Sequence, residues 1–336
     1  MHVDPRFTRT SAMCDIHAPI RAGTDITFLG AVINFVINSD RWNTDPFFKE
    51  YAVNYTNAAT LVSGDYKDTE DNNGTFSGLA ADGKSYATTT WAYQRDAAPT
   101  SSVTDPKNFT DLLLQRVPGR PKTDPTLQDP QTVFQIIKRH YSRYTPEMVE
   151  RVCGLPKDKF LQVANTLLNN SGRDKTSNIT YAVGWTQHTV GVQIIRCAAV
   201  LQAILGNIGR PGGGVLALRG HATIQGSTDI ATLAHSLPGY VNMPDARVAH
   251  ETLKDFILAE AARVGITSYF GANDPKFIVS YFKAQYGDAA TKDNDYGYNY
   301  HVKITGDHSH LPMFVDMMAG KIKGFFVMGQ NPAVGG

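Results

Sequence analysis

The stretch Arg210–Asp229, RPGGGVLALRGHATIQGSTD, holds the strongest candidates for chemistry in this chain. It contains five glycines, and Arg219 and His221 stand on either side of one of them, Gly220. An arginine presents a planar fork of N–H donors that matches the two oxygens of a carboxylate. A histidine beside it can donate a hydrogen bond or relay a proton. Gly212, Gly213 and Gly214 supply more bare backbone than a helix stop requires, so main chain there can approach a ligand closely. The combination fits a small anion held next to a large cofactor. The plainer alternative is a glycine-rich surface loop with a solvated arginine.

Two further segments have the composition of a binding loop. Gly184 follows the apolar run ITYAV and leads into Trp185, Thr186, Gln187 and His188. Gly329, Gln330, Asn331 and Pro332 follow the apolar run Phe325–Met328. In open α/β sheets ligands bind beyond the carboxyl ends of the strands. Glycine admits the ligand there, and amide side chains supply donors and acceptors. Neither segment spells a dinucleotide fingerprint or a phosphate-binding loop, so spelling alone leaves a nucleotide site and ordinary turns equally open. Asp4 closes the run HVD at a place where doubly wound folds often put a ribose contact. Asp-Pro is also a common turn pair, and the spelling favours the turn. His17 reads as a loop histidine and His188 as a residue at a helix start. His308 and His310 are spaced like a metal pair, but no third ligand accompanies them, and a solvated loop is the better reading.

The elements that would position these residues alternate between helix and strand. The run ITFLGAVINFVI, Ile26–Ile37, is too short to cross a bilayer and carries Thr27, Gly30 and Asn34, so it predicts a buried helix capped by Thr24 or Asp25. Residues 53–129 are rich in Asp, Asn, Gly, Ser and Pro, and predict an irregular surface insertion with one short strand at TTTWAYQ, Thr88–Gln94. Asp129-Pro130 predicts an N-cap and first helical residue for QTVFQIIKRHYSRY. Thr145-Pro146 opens a second helix, and KDKFLQVANTLLNN is an amphipathic third, with His140 on a helix surface. A strand at Ile179–Val183 then precedes a helix over about Val190–Leu205, stopped by Gly206 or Gly209. Helix, turn and a buried strand at Phe325–Met328 close the chain. The pattern predicts an α/β fold with mostly parallel sheets flanked by helices. Its parts are a remainder of one dinucleotide-binding domain at 1–52, the insertion at 53–129, and a second α/β domain at 130–336.

Composition sets the outer bounds. The formal net charge is +1 and no basic cluster stands out, which argues against nucleic acid as a partner. Cys14, Cys153 and Cys197 are far apart and form no C-x-x-C pair, so a zinc or iron–sulfur site held by this chain alone is not expected. No signal peptide is visible.

Several stretches together resemble the large subunit of molybdenum- or tungsten-dependent formate dehydrogenases in the dimethyl sulfoxide reductase family. They are VDPRFTRTSA, APIRAGTDITFL, SRYTPEMVERVCG, YAVGWTQHTVGVQIIR, LGNIGRPGGGVLALRGHATIQGSTD, SLPGY and GQNPAV. The likeness is to the membrane-associated type that faces the periplasm. It implies two molybdopterin guanine dinucleotides around one molybdenum or tungsten, held by molybdopterin oxidoreductase domains. By position Asp4, Arg6 and Thr8 match contacts to one guanosine and its phosphates. Gly23 and Asp25 match a guanine-contacting G-T-D motif. Gly184, Trp185, Gln187 and His188, with Gly329, Gln330 and Asn331, match the pocket of the second dinucleotide. Gly213 and Gly220 lie where backbone packs against the pterin. Arg219 matches the arginine that holds formate's carboxylate, and His221 the substrate-site position next to it.

The resemblance also implies formate oxidation, an iron–sulfur electron-transfer partner, a membrane cytochrome b subunit, and a role in anaerobic respiration. The family's cysteine-bound [4Fe-4S] region, its metal-ligating selenocysteine or cysteine and its C-terminal cap have no counterpart among these residues. The expectation is therefore a middle piece of a larger subunit, inactive alone. Two alternatives stay open: another enzyme of the same cofactor family, such as a nitrate or thiosulfate reductase, and a catalytically dead cofactor-binding module. The R-G-H segment favours formate.

Overall fold

The computed structural model describes residues 1–96, 119–218, 220, 223–248, 250–264 and 273–335. The described residues up to Gly220 form one compact unit and those after it form a second.

In the first unit β1 (His2–Val3) and β2 (His17–Ala18) pair in parallel, separated by the one-turn helix α1 (Arg9–Ala12). The apolar run becomes α2 (Asp25–Asn38). Val32, Ile33, Val36 and Ile37 are wholly buried there, and Phe28, Leu29 and Ala31 nearly so. Apolar residues thus extend round most of the helix rather than along one stripe, and such a helix has to be enclosed. Two shorter helices follow, α3 (Asp40–Thr44) and α4 (Pro46–Tyr55). The Ser39 hydroxyl accepts from Trp42 N and the Asp45 carboxylate from Phe47 N, so each helix start satisfies one of its orphan donors. After the insertion come α5 (Val133–Tyr141), α6 (Pro146–Cys153) and α7 (Lys157–Asn169). Then β3 (Asn178–Tyr181) leads through the single turn α8 (Val183–Thr186) to α9 (Gly191–Ile204) and β4 (Gly214–Ala217). Strand β4 pairs in parallel with β3, Ile179 opposite Val215. Helices α6, α7 and α9 pack on α2; Phe160, Ile194, Ala198 and Leu201 are fully buried in that core.

A polar knot fixes the approach to β4. Ser171, Gln202 and Asn207 are all fully buried. Asn207 Nδ2 donates to Gln202 Oε1 (2.6 Å) and to Ser171 Oγ (3.0 Å), while its Oδ1 accepts from Ser177 N (3.3 Å). A side chain at Gly213 would place its Cβ 2.1 Å from the Asn207 carbonyl oxygen, so only glycine fits. Gly206, with φ +70°, takes the left-handed conformation that ends α9, as its sequence position predicts.

Four local expectations give way. Thr88–Gln94 is not a strand: Thr88–Trp91 is a short 3-10 turn, and only Tyr93 forms an isolated bridge, with Val62. Asp129 does not cap α5. Its carboxylate accepts from Gln131 N (2.8 Å) and its carbonyl from Thr132 N (3.0 Å), which closes a turn first; Thr132 then caps the helix. Strand β3 ends at Tyr181 rather than Val183, because the chain bends at once into α8. Phe325–Met328 forms no strand and is exposed, Phe326 at 93%. A strand buried on both faces needs neighbours to pair with and helices to cover it. None among the described residues plays either part. The described part of the insertion after α4 is irregular, and it is anchored: Arg139 Nε meets Asp68 Oδ2 at 2.5 Å and Arg143 pairs with Glu70.

The second unit contains α10 (Ile224–Asp229), the antiparallel pair β5 (Ser236–Leu237) and β6 (Val241–Asn242), α11 (Leu253–Val264), α12 (Asp274–Tyr286), α13 (His310–Met318) and α14 (Pro332–Gly335). Leu253, Phe256, Ile278, Phe282 and Tyr298 form its core. Helices and small, mostly parallel sheets are compatible with the α/β class. No helix among the described residues is long and apolar enough to cross a membrane.

His301 is enclosed by aromatic rings in this core. It meets Phe282 edge-on at 5.0 Å, its Nδ1 lies 3.0 Å from the Tyr286 hydroxyl, and its buried Nε2 has no hydrogen-bond partner. Burial, helped by Lys303, pushes its pKa below the usual histidine value. The unfolded chain therefore binds a proton near pH 6.5 that the folded chain resists, and stability falls as pH drops from about 6.5 to the depressed folded value. Denaturant midpoints at pH 7.5 and 5.5 check this: His301→Phe should lose less stability on acidification than the parent. An equal loss in both would exclude His301 as a source.

Candidate functional site

Six of the sequence-predicted site residues of the first unit, Gly23, Asp25, Gly184, Trp185, Gln187 and His188, lie on two strand-to-helix connections. One runs from β2 to α2. Arg21 N donates to Cys153 O (2.9 Å), and Arg21 Nη1 donates to the Arg151 and Val152 carbonyls (2.9 and 3.0 Å), which ties the connection to the end of α6. Gly23 then turns with φ +83°, a conformation that disfavours a side chain, and nothing lies within 4 Å of where its Cβ would be. Asp25 is the first residue of α2, so its carboxylate sits at the positive end of the helix.

The other connection runs from β3 to α9. Trp185 lies in α8, stacked on Tyr181 of β3 at 5.1 Å and 23°. Its indole Nε1 donates to Asp25 Oδ1 at 3.0 Å, across 160 residues of sequence. The two connections therefore meet at one bond. Beside it Gly184 is exposed, with open space on its Cβ side, Gln187 is exposed, and His188 is half-buried. No spelling rule could have paired Asp25 with Trp185. In the sequence Asp25 reads as a possible helix cap and Trp185 as a residue just past a strand, with nothing to join them.

Asp4, Arg6 and Thr8 follow β1. The Asp4 carboxylate accepts from Arg6 N (2.8 Å), the turn that Asp-Pro predicts, and the Asp4 carbonyl lies 3.1 Å from His17 Nε2. His17 therefore departs from the loop reading: it opens strand β2, paired with His2, and its ring has a backbone partner. Thr8 N donates to the buried Ser11 hydroxyl (2.8 Å), which also meets His2 Nδ1 (2.8 Å). The Arg6 and Thr8 side chains are exposed. Gly329, Gln330 and Asn331 belong to the second unit; Gly329 has φ +71° and open space where a side chain would be, and all three are exposed. Gly220 is exposed with equally open surroundings. Arg219 and His221, which flank it, lie outside the described residues. Gly213 differs from the other glycines, because its bare backbone is already required by the Asn207 carbonyl.

These features fit a nucleotide-bearing cofactor. In the first unit open space faces the backbone at Gly23, Gly184 and Gly220, while a carboxylate, an amide and hydroxyls stand close by in sequence. No group of three or more His, Cys, Asp or Glu among the described residues could hold a metal ion.

A cavity of 540 Å³ lies elsewhere, lined by Phe47, Glu50, Tyr51, Tyr55, Arg173 and Arg210 among others. It is near the residues that lead into β3 and β4, away from the strand ends that carry the predicted site. Its guanidinium groups are already engaged. Arg210 donates to the Gly172, Gly206 and Arg173 carbonyls and lies 4.9 Å from the Phe47 ring, and Arg173 pairs with Glu50 at 2.5 Å.

Comparison with known proteins gives the class first. Relatives that match nearly the whole chain are major or alpha subunits of formate dehydrogenases, which are oxidoreductases. The chain is 42% identical over 332 residues, 98% of its length, to the nitrate-inducible formate dehydrogenase major subunit of Escherichia coli K12. It is 41% identical over 336 residues, 99% of its length, to formate dehydrogenase 2 subunit alpha (cytochrome c-553) of Nitratidesulfovibrio vulgaris. Over 112 residues, 33% of its length, it is 35% identical to the F420-dependent formate dehydrogenase subunit alpha of Methanocaldococcus jannaschii, covering 16% of that protein. The chain spans 30% of the length of each of the first two relatives. No family model matches it. The likeness read from the motifs thus extends along almost every residue.

The cysteines make a test of the packing of the first unit. Cys153 and Cys197 are buried, and burial raises both thiols, Cys197 up to about 11. Cys14 is only partly buried. A thiolate is the reactive form. Iodoacetamide at pH 8 should therefore label Cys14 in the folded chain and leave Cys153 and Cys197 until denaturant is added, as read by peptide mass spectrometry. Rapid labelling of Cys153 or Cys197 in the folded protein would contradict their burial.

Proposed function

We propose that this chain supplies part of the catalytic subunit of a formate dehydrogenase, binding the guanine dinucleotide arms of two molybdopterin cofactors and orienting formate. The observation that carries the reading is the 42% identity over 98% of the chain to a formate dehydrogenase major subunit. The junction of two strand-end connections at Asp25 and Trp185 supports it, because strand ends are where α/β folds receive nucleotides.

In this reading Asp25 accepts hydrogen bonds from guanine. Arg6 and Thr8 meet phosphate, with Asp4 next to them. Gly184, Trp185, Gln187 and His188 receive the second dinucleotide, to which Gly329, Gln330 and Asn331 also contribute. Arg219 grips the formate carboxylate through its fork and fixes the C–H bond toward the reacting centre. His221 donates a hydrogen bond beside it or holds the proton released. When bound, the molybdenum- or tungsten-pterin group supplies the two-electron chemistry by which formate becomes carbon dioxide and a proton. The electrons leave through iron–sulfur clusters, one [4Fe-4S] cluster in the same subunit and others in a partner. A membrane cytochrome b subunit and a periplasmic site complete the proposal. The residues matched here include no ligand to the metal, so the chain expressed alone binds cofactor without turnover.

Two measurements test this. Arg219→Ala in the loaded enzyme should lower kcat/KM for formate by about 10²- to 10³-fold, the effect of losing a preorganised charged donor. The chain alone should reduce no dye with formate. Unimpaired oxidation by Arg219→Ala would remove the substrate assignment. Reduction of nitrate or thiosulfate in place of formate oxidation would move the protein to another activity of the same cofactor group.

A further inference from the structure

We infer that Trp185 is a positioning residue for guanine recognition, acting through Asp25. The inference rests on the proposed reading that Asp25 meets guanine, and adds to it how the carboxylate is held. An aspartate on a helix's first turn can rotate about its last side-chain bond, whose energy wells are broad. Here Trp185 Nε1 donates to Asp25 Oδ1 at 3.0 Å, and the indole is in turn held by stacking on Tyr181 at 5.1 Å. The donor is therefore anchored on β3, and the acceptor at the N-terminus of the 14-residue helix α2. The bond fixes the plane of the carboxylate. It uses one lone pair of Oδ1, leaving the other, together with Oδ2, which has no hydrogen-bond partner among the described residues.

Two acceptors held in one plane match two adjacent donors. Guanine presents such a pair on one edge, its ring N1–H and its 2-amino group. Hypoxanthine keeps the N1–H and lacks the amino group, and adenine has an acceptor at N1. The indole thus contributes discrimination rather than simple attraction. A carboxylate free to rotate can still meet one donor, whereas a fixed one rewards the base that brings two. An indole that only braced the fold would leave the choice of base untouched, and the two roles can therefore be separated.

The test is binding of GMP and of IMP to the chain by titration calorimetry. The parent should prefer GMP over IMP by about tenfold, the order expected for one further charge-assisted bond in a paired recognition. Trp185→Phe keeps a ring on Tyr181 and removes the N–H. It should bring the GMP-to-IMP ratio close to one while IMP affinity changes little. Asp25→Glu leaves Trp185 in place and moves the carboxylate out of reach of the same geometry; it should collapse the ratio likewise, and it serves if Trp185→Phe does not fold. Asp25→Asn should abolish the GMP preference altogether. If Asp25→Asn binds GMP as the parent does, or the parent binds neither nucleotide, the guanine reading itself fails. If Asp25→Asn loses GMP while Trp185→Phe and Asp25→Glu keep the parental ratio, that reading stands and the positioning role is overturned.

Discussion

Three fully buried polar side chains decide where β4 begins. Asn207 bonds both Gln202 Oε1 and Ser171 in a buried interior and also takes the backbone of Ser177, just before β3, while Gln202 Nε2 stays unpartnered. A buried network of this kind stabilises one arrangement, because a slip of the chain would leave donors and acceptors unpaired. The knot therefore joins the end of α9 to the start of β3 and brings the glycine loop in close, with Gly213 packed on the Asn207 carbonyl. From there the parallel register of β3 and β4 follows, Asn178 opposite Gly214. Because the two strands run the same way, Trp185 and Gly220 both follow the carboxyl end of the pair.

The core makes that geometry rigid. Helix α2 is buried over most of its circumference, so it cannot roll without exposing Val32, Ile33, Val36 or Ile37. Its first residue, Asp25, is thereby fixed, and the indole of Trp185 reaches it from the other connection. Packing carries the strain-free positioning, and one polar bond closes the junction. Function on this account lies at a seam between loops, with the helices acting as its frame.

Much of the frame could be read in the sequence. Helices α2, α6, α7 and α9 came from apolar spacing and from caps such as Thr145-Pro146 and Gly206, signals that are local and need no partner. The failures were where tertiary pairing decides. Phe325–Met328 has a strand's composition but no neighbour among the described residues. Asp129 has a cap's chemistry but spends it on a turn, and Thr88–Gln94 coils because only Tyr93 finds a bridging partner. At the site, the residue types and the strand end before Gly184 were legible, the strand read before Gly329 does not form, and the likeness to formate dehydrogenases was carried by whole motifs. The bond between Asp25 and Trp185 was not legible, since no local pattern links residues 160 apart.

The most direct measurement follows the three indole N–H groups by proton–nitrogen correlation spectroscopy. Each has its own acceptor: the Ile204 carbonyl for Trp42, the Ala87 carbonyl for Trp91 and the Asp25 carboxylate for Trp185. Addition of GMP should move the Trp185 resonance and leave those of Trp42 and Trp91 in place. A Trp185 resonance that stays fixed at millimolar GMP would contradict the account of this junction as a guanine nucleotide site.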